Sequence, residues 1–143
     1  MPSKSTTERA RRDLRQGKRP STAAGEFVRE EIEHVREGKH GARSTRQAIA
    51  IGLSKARRAG VPLRPPKKGQ VKASTRRSAK RDYEVGQGRR KPRTPSARRS
   101  HATERALQRE GHAAASSSAL SVHAKRAAAQ RRHRGGGARG SAR

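Results

Sequence analysis

The sequence predicts a mostly α-helical protein with extensive disorder, and three observations carry that expectation. Bulky apolar residues are scarce: 23 of the 40 hydrophobic residues are alanine, in a chain of 143 residues with a formal charge of +27. Low apolar content with high net charge marks a chain that cannot offset its ordering entropy by burial along its whole length. The larger apolar residues are also concentrated, nine of 17 lying between Phe27 and Leu63. There they recur every three or four positions, between residues that start and stop helices.

Residues 1–20 read as a basic N-terminal arm with one short helix, Thr6 to Gln16. Ser5 and Glu8 have capping-box spacing, Gly17 is a natural stop, and Pro20 forbids continuation. Only Leu14 is available for burial, so this helix is expected to fray.

Residues 21–64 read as a central helical hairpin. Its first helix is capped by Thr22 and ended by Gly38. Ala24, Val28, Ile32 and Val35 form one stripe with Phe27 beside it, while Glu26, Glu30, Glu33 and Glu37 occupy another face. Its second helix, Arg46 to Ala59, follows a capping box of Ser44 and Gln47 and stops at Gly60, with Pro62 just beyond. Ile49, Leu53 and Ala56 form a row that Ile51 widens. Gly52 costs about 1 kcal/mol relative to alanine inside a helix, which predicts a close helix–helix approach at that point. The expected core is Phe27, Val28, Ile32, Val35, Ile49 and Leu53. So small a core leaves the hairpin marginal alone, and it should dimerise, pack on another segment, or be steadied by a bound polyanion.

Residues 65–93 hold prolines, glycines and many cations without a sustained period, which predicts a disordered basic linker. Residues 94–134 read as an alanine-rich helical pair. Thr94 caps its first helix, with Pro95 at the first helical position and Gly111 as the stop. The second runs from about Ala119 to His133 and is halted by Gly135 to Gly137. Residues 135–143 read as a disordered tail.

The stretch "EFVREEIEHVREGKHGARSTRQAIAIGLSKARRAGV" resembles the repeated core of a family of small, very basic bacterial proteins of unknown function, often loosely labelled DNA-binding. The alanine-rich "ERALQREGHAAASSSALSVHAKRAAAQRR" is similar to a tail common in such proteins. The resemblance implies a bacterial, nucleic-acid-associated protein and brings no mechanism with it.

Charge points the same way. The chain holds 38 Lys and Arg against 11 Asp and Glu, and Arg outnumbers Lys 28 to 10. Such a polycation attracts nucleic acid through phosphate neutralisation and counterion release, and guanidinium suits bidentate phosphate contact. The expected function is non-enzymatic, largely sequence-independent DNA binding of nucleoid-associated type, with DNA favoured over RNA. Alternatives are an RNA- or ribosome-associated basic protein, or a structural adaptor recruiting a protein partner through Phe27, Val28, Ile49 and Leu53.

The sharpest local candidate is the loop entering the second hairpin helix. Lys39, His40, Arg43 and Arg46 surround a helix N-terminus there, with Ser44 and Thr45 adding hydroxyls. "GKHGARST" lacks the ending of a P-loop. The further candidate phosphate contacts are Lys55, Arg57, Arg58, Lys67, Lys68, Arg76, Arg77, Arg89, Arg90 and Lys91.

Other classes find little support. With no cysteine, thiolate metal sites and disulfides are excluded. The six histidines show no zinc pattern along the chain, so no metal site and no cofactor are expected. No catalytic triad or carboxylate pair stands out. The N-terminal segment has no apolar h-region, and the longest apolar run, Ala48 to Leu53, is far short of a membrane span. A cytoplasmic, nucleoid-associated location is expected.

Overall fold

Proline at position 20 opens the longer arm of the hairpin rather than ending what precedes it. In the computed structural model, which describes residues 2–139 (side chains for 2–134), helix α1 spans Lys4–Arg15 and α2 spans Pro20–Arg36. Pro20 sits at the first helical position, where its missing N–H is no loss. Thr22 therefore lies inside the helix and is not its cap. The cap of α1 is Ser3, whose Oγ accepts from Thr6 N at 3.2 Å, so the expected Ser5 capping box does not form.

The chain continues as α3 (Thr45–Arg58), α4 (Ala73–Gly86) and α5 (Ala97–Arg109), then a single 3-10 turn (Ala113–Ala115) and α6 (Ser117–Arg139). No β-strand forms among the described residues. No helix among them is long and apolar enough to cross a membrane. The N-terminus of α3 follows expectation: Ser44 Oγ accepts from Gln47 N at 3.1 Å. The Gln47 side chain reaches back to Arg43 N rather than to Ser44.

The α2–α3 hairpin is the centre of the fold. Helix α1 packs on α2, α4 packs on α3, and the 3-10 turn with α6 covers the far end of both. Of the three ways expected to support a marginal hairpin, packing against other segments of the same chain is the one seen. Phe27, 1% exposed, is surrounded by Ala10, Ala23, Ala24, Ala56 and Val61, with Leu14, Leu53 and Leu63 against them. Val35, fully buried, packs with Ala42, Ala48 and Ala115, flanked by Ile32 and Ala114. Val28, Ile32, Ile49 and Leu53 are only half-buried. The core is thus built largely from alanines, whose small side chains let helix backbones come close and place apolar contact where bulky residues are few.

Five expectations are corrected. Helix α1 is not a fraying arm: it buries Ala10 and half-buries Leu14 against α2. The stretch 65–93 is not a structureless linker, because residues 73–86 form α4. Ala79 is buried there and Tyr83 half-buried, and Asp82 Oδ2 accepts from Ser54 Oγ of α3 at 2.6 Å. Helices α5 and α6 do not pair: α5 buries none of its residues, and α6 instead contacts α3 and the 3-10 turn. Ser96, not Thr94, caps α5. Finally, α6 runs through Gly135 to Gly137 to end at Arg139. Glycine weakens a helix but keeps the amide donor that proline lacks. Of the expected tail, residues 140–143 lie outside the described residues.

Candidate nucleic-acid interface

Opposite charges are segregated by depth. Three carboxylates of α2 turn to neighbouring elements of the same chain. Glu26 pairs with Arg9 of α1 at 2.9 Å, and Glu30 Oε1 accepts from Ser3 N at 2.9 Å. Glu31, with no exposed surface, pairs with Lys55 of α3. Glu33 pairs with Arg29 one turn earlier in the same helix, at 3.3 Å. Asp13 pairs with Lys18 at 2.9 Å, and Glu84 of α4 with Arg90 at 3.1 Å. Glu26, Glu31 and Asp82 thus join one helix to another, Asp13 and Glu84 tie helix ends to the loops that follow, and most cations are left facing outward.

Three of the expected phosphate contacts are withdrawn by this packing. Arg57 is 8% exposed and donates from Nε to the Leu63 carbonyl at 3.1 Å. Burial pushes its guanidinium below the ordinary arginine pKa, and the Asp82 charge pulls partly back up. Lys55 is held on Glu31. Thr45 is buried and donates from Oγ1 to the Ala114 carbonyl at 2.6 Å. His40, expected beside the anion site, turns inward to Glu31 Oε2 at 3.0 Å.

The remaining candidates lie at or near the surface. Lys39, Arg43, Ser44, Arg46, Arg58, Lys67, Lys68, Arg77, Arg89, Arg90 and Lys91 are exposed, and Arg76 is half-buried. Lys39 is shared with Glu37 at 3.4 Å, and Arg58 lies 3.9 Å from Asp82. The Ser44 hydroxyl caps its own helix.

The structure adds a feature that linear reading did not offer. A cleft of about 640 Å³ lies between the start of α3 and one face of α6. It is lined on one side by Ser44, Thr45 and Arg46, and on the other by residues that include Val122, His123 and Arg126. No carboxylate lines it. Two guanidinium-bearing residues and the positive end of α3 thus face one concavity, an arrangement suited to a phosphate group. Arg126 carried no signal in the sequence beyond being one cation among many, because the pairing of α6 with α3 is a long-range contact.

A largely buried polar cluster lies between α2, the connecting loop and α3. Glu30 and Glu31 on α2, His34 one turn later, His40 on the connecting loop and Lys55 on α3 come together. Ligating atoms of Glu31, His34 and His40 all lie within 4.8 Å of one another. The sequence did hold part of this signal, since Glu30, Glu31 and His34 stand at four- and three-residue spacing on one helix face. His40 joins them only because its loop is tied down: Gly41 N donates to Leu107 O at 2.8 Å, and Ala42 N to Gly111 O at 3.1 Å. A side chain at Gly41 would overlap the Glu110 carbonyl, so glycine is required there.

Comparisons with protein-family models, curated proteins and solved structures found no match.

Proposed function

We propose that the protein is a non-enzymatic, largely sequence-independent DNA-binding protein of nucleoid-associated type, binding through Arg and Lys contacts to phosphate. The observation that carries this reading is the segregation of charge. Glu26, Glu31 and Asp82 are consumed in joining α1, α2, α3 and α4, while residues 61–143 carry 23 Lys and Arg against four Asp and Glu. Outward cations in that excess raise the local concentration of a polyanion and gain counterion-release entropy on contact. The cleft between Arg46 and Arg126 is the anchoring point, and the exposed cations of α4, α5 and α6 extend the contact along the backbone.

Duplex is favoured over single strands. The chain has one Phe and one Tyr; Phe27 is buried and Tyr83 half-buried, so no aromatic platform is presented for stacking bases. The adaptor alternative loses its principal anchor, because Phe27 is enclosed by α1 and α3.

Fluorescence anisotropy with short duplexes of unrelated sequence tests this reading. Affinity should fall steeply with salt, with a log–log slope of several units, and vary little with sequence. Tighter binding to structured RNA would replace DNA with RNA as the partner. Indifference to both at low salt would end the nucleic-acid reading altogether.

A further inference from the structure

The geometry points to a divalent transition-metal site, of zinc type, formed by Glu31, His34 and His40 on the inner side of the hairpin. Two imidazoles and one carboxylate are a donor set that zinc and its neighbours accept, leaving a fourth position for water. The ligating atoms lie within 4.8 Å of one another. His34 Nδ1 stands 3.8 Å from Glu31 Oε1, and His40 Nε2 stands 3.0 Å from Glu31 Oε2. Two donors each about 2.0–2.1 Å from a shared zinc ion are separated by a similar span.

The surroundings of these three residues argue independently for a ligand. Metal-bound histidines characteristically hand their other ring nitrogen to a carboxylate or a backbone carbonyl. His40 Nδ1 lies 2.9 Å from the Gly41 carbonyl, which leaves Nε2 as the coordinating atom. His34 turns Nε2 toward Glu30 Oε1 at 3.8 Å, too long for a hydrogen bond as the side chains stand, with Nδ1 on the side of Glu31. The Glu30 side chain is 10% exposed, and its Oε2 is buried without a hydrogen-bond partner. An unsatisfied buried carboxylate oxygen is costly, and it lies beside the ring that a metal would orient. Lys55 pairs with Glu31 Oε1, which leaves Oε2, 3.0 Å from His40 Nε2, as the coordinating oxygen.

Binding would place the ion where His40 Nε2 and Glu31 Oε2 now meet directly at 3.0 Å. His34 and His40, at 21% and 17% exposed, leave a path for entry. Because two ligands come from α2 and the third from the 38–43 loop, the ion would tie the loop that leads into α3 to the body of the hairpin. This site does not depend on the DNA-binding reading.

The test uses the full chain, stripped of nucleic acid and treated with chelator. Co²⁺ is titrated while visible absorption is recorded, and Zn²⁺ is then added in competition. The expected result is one equivalent of Co²⁺ bound with the d–d bands of a four-coordinate ion, and displacement of that Co²⁺ by Zn²⁺. The thermal midpoint should rise by several degrees on Zn²⁺ addition. H34A and H40A should each lower affinity at least tenfold, and E30Q should lower it about ten- to a hundredfold. H101A and H133A should leave it unchanged. Imidazole ¹⁵N shifts of the unmutated chain give a reading free of any folding defect: Zn²⁺ should move two histidines and spare four. Failure of the folded chain to bind one equivalent would overturn the proposal, as would binding that survives loss of His34 and His40.

Discussion

Gly52 of α3 lies directly against the backbone of Val28 in α2: a Cβ at position 52 would stand 2.6 Å from Val28 Cα. The two helices therefore meet backbone to backbone, and the contact sets their separation for the whole hairpin. Gly52→Ala should destabilise the chain by about 1–3 kcal/mol through overpacking, even though alanine is the better helix former by about 1 kcal/mol. A lowered urea midpoint with retained helicity is the expected outcome. A raised midpoint would show that the helices can move apart freely.

Lys55 and Glu31 form an ion pair in which the carboxylate has no exposure. Removing one partner strands the other charge, so Lys55→Ala should cost about 3 kcal/mol, the lower end of such losses because His40 still faces Glu31. Duplex affinity of the protein that remains folded should be unchanged, since Lys55 is occupied internally. Chemical denaturation paired with anisotropy separates the two effects.

Arginines on and off the cleft should behave differently. Arg46→Ala and Arg126→Ala should each weaken duplex binding about equally for all sequences, and each reduce the log–log salt slope by roughly one. Arg57→Ala should instead lower stability by about 1–3 kcal/mol, as a buried donor and packed stem are lost. The lowered Arg57 pKa means that the folded state holds this proton less tightly than the unfolded chain does. That cost is present at neutral pH and lifts only in strong alkali, as pH climbs through the folded value, so Arg57 contributes no slope to stability around neutrality.

Helices α4 and α5 should differ in hydrogen exchange. Helix α4 buries Ala79 and is fastened by Asp82 to Ser54, whereas α5 buries none of its residues. Amides of 73–86 should be protected with the body of the protein, and those of 97–109 should exchange through local opening. Asp82→Ala should collapse the difference by releasing α4. Equal protection of both helices in the unmutated chain would contradict the packing described above.

Much of the architecture was legible in one dimension. The α2–α3 hairpin, the Ser44 cap, the stop at Gly60 (φ +102°) and the close approach at Gly52 all follow from local rules. Capping, glycine conformation and helical period act within a few residues and leave their mark in the order of amino acids. The overall charge imbalance is likewise a property of composition alone.

What composition could not disclose was where α1 and α4 dock and which charges they consume. Alanine carries little periodic signal, yet Ala10, Ala23, Ala42 and Ala115 build the core because other segments come close enough to cover them. Arg57 and Lys55 looked like phosphate ligands until Leu63 O and Glu31 were found beside them. His40 became a neighbour of His34 only when its loop was pinned by the end of α5. Burial and pairing are many-body outcomes of packing between distant segments, so they are settled in three dimensions and not along the chain.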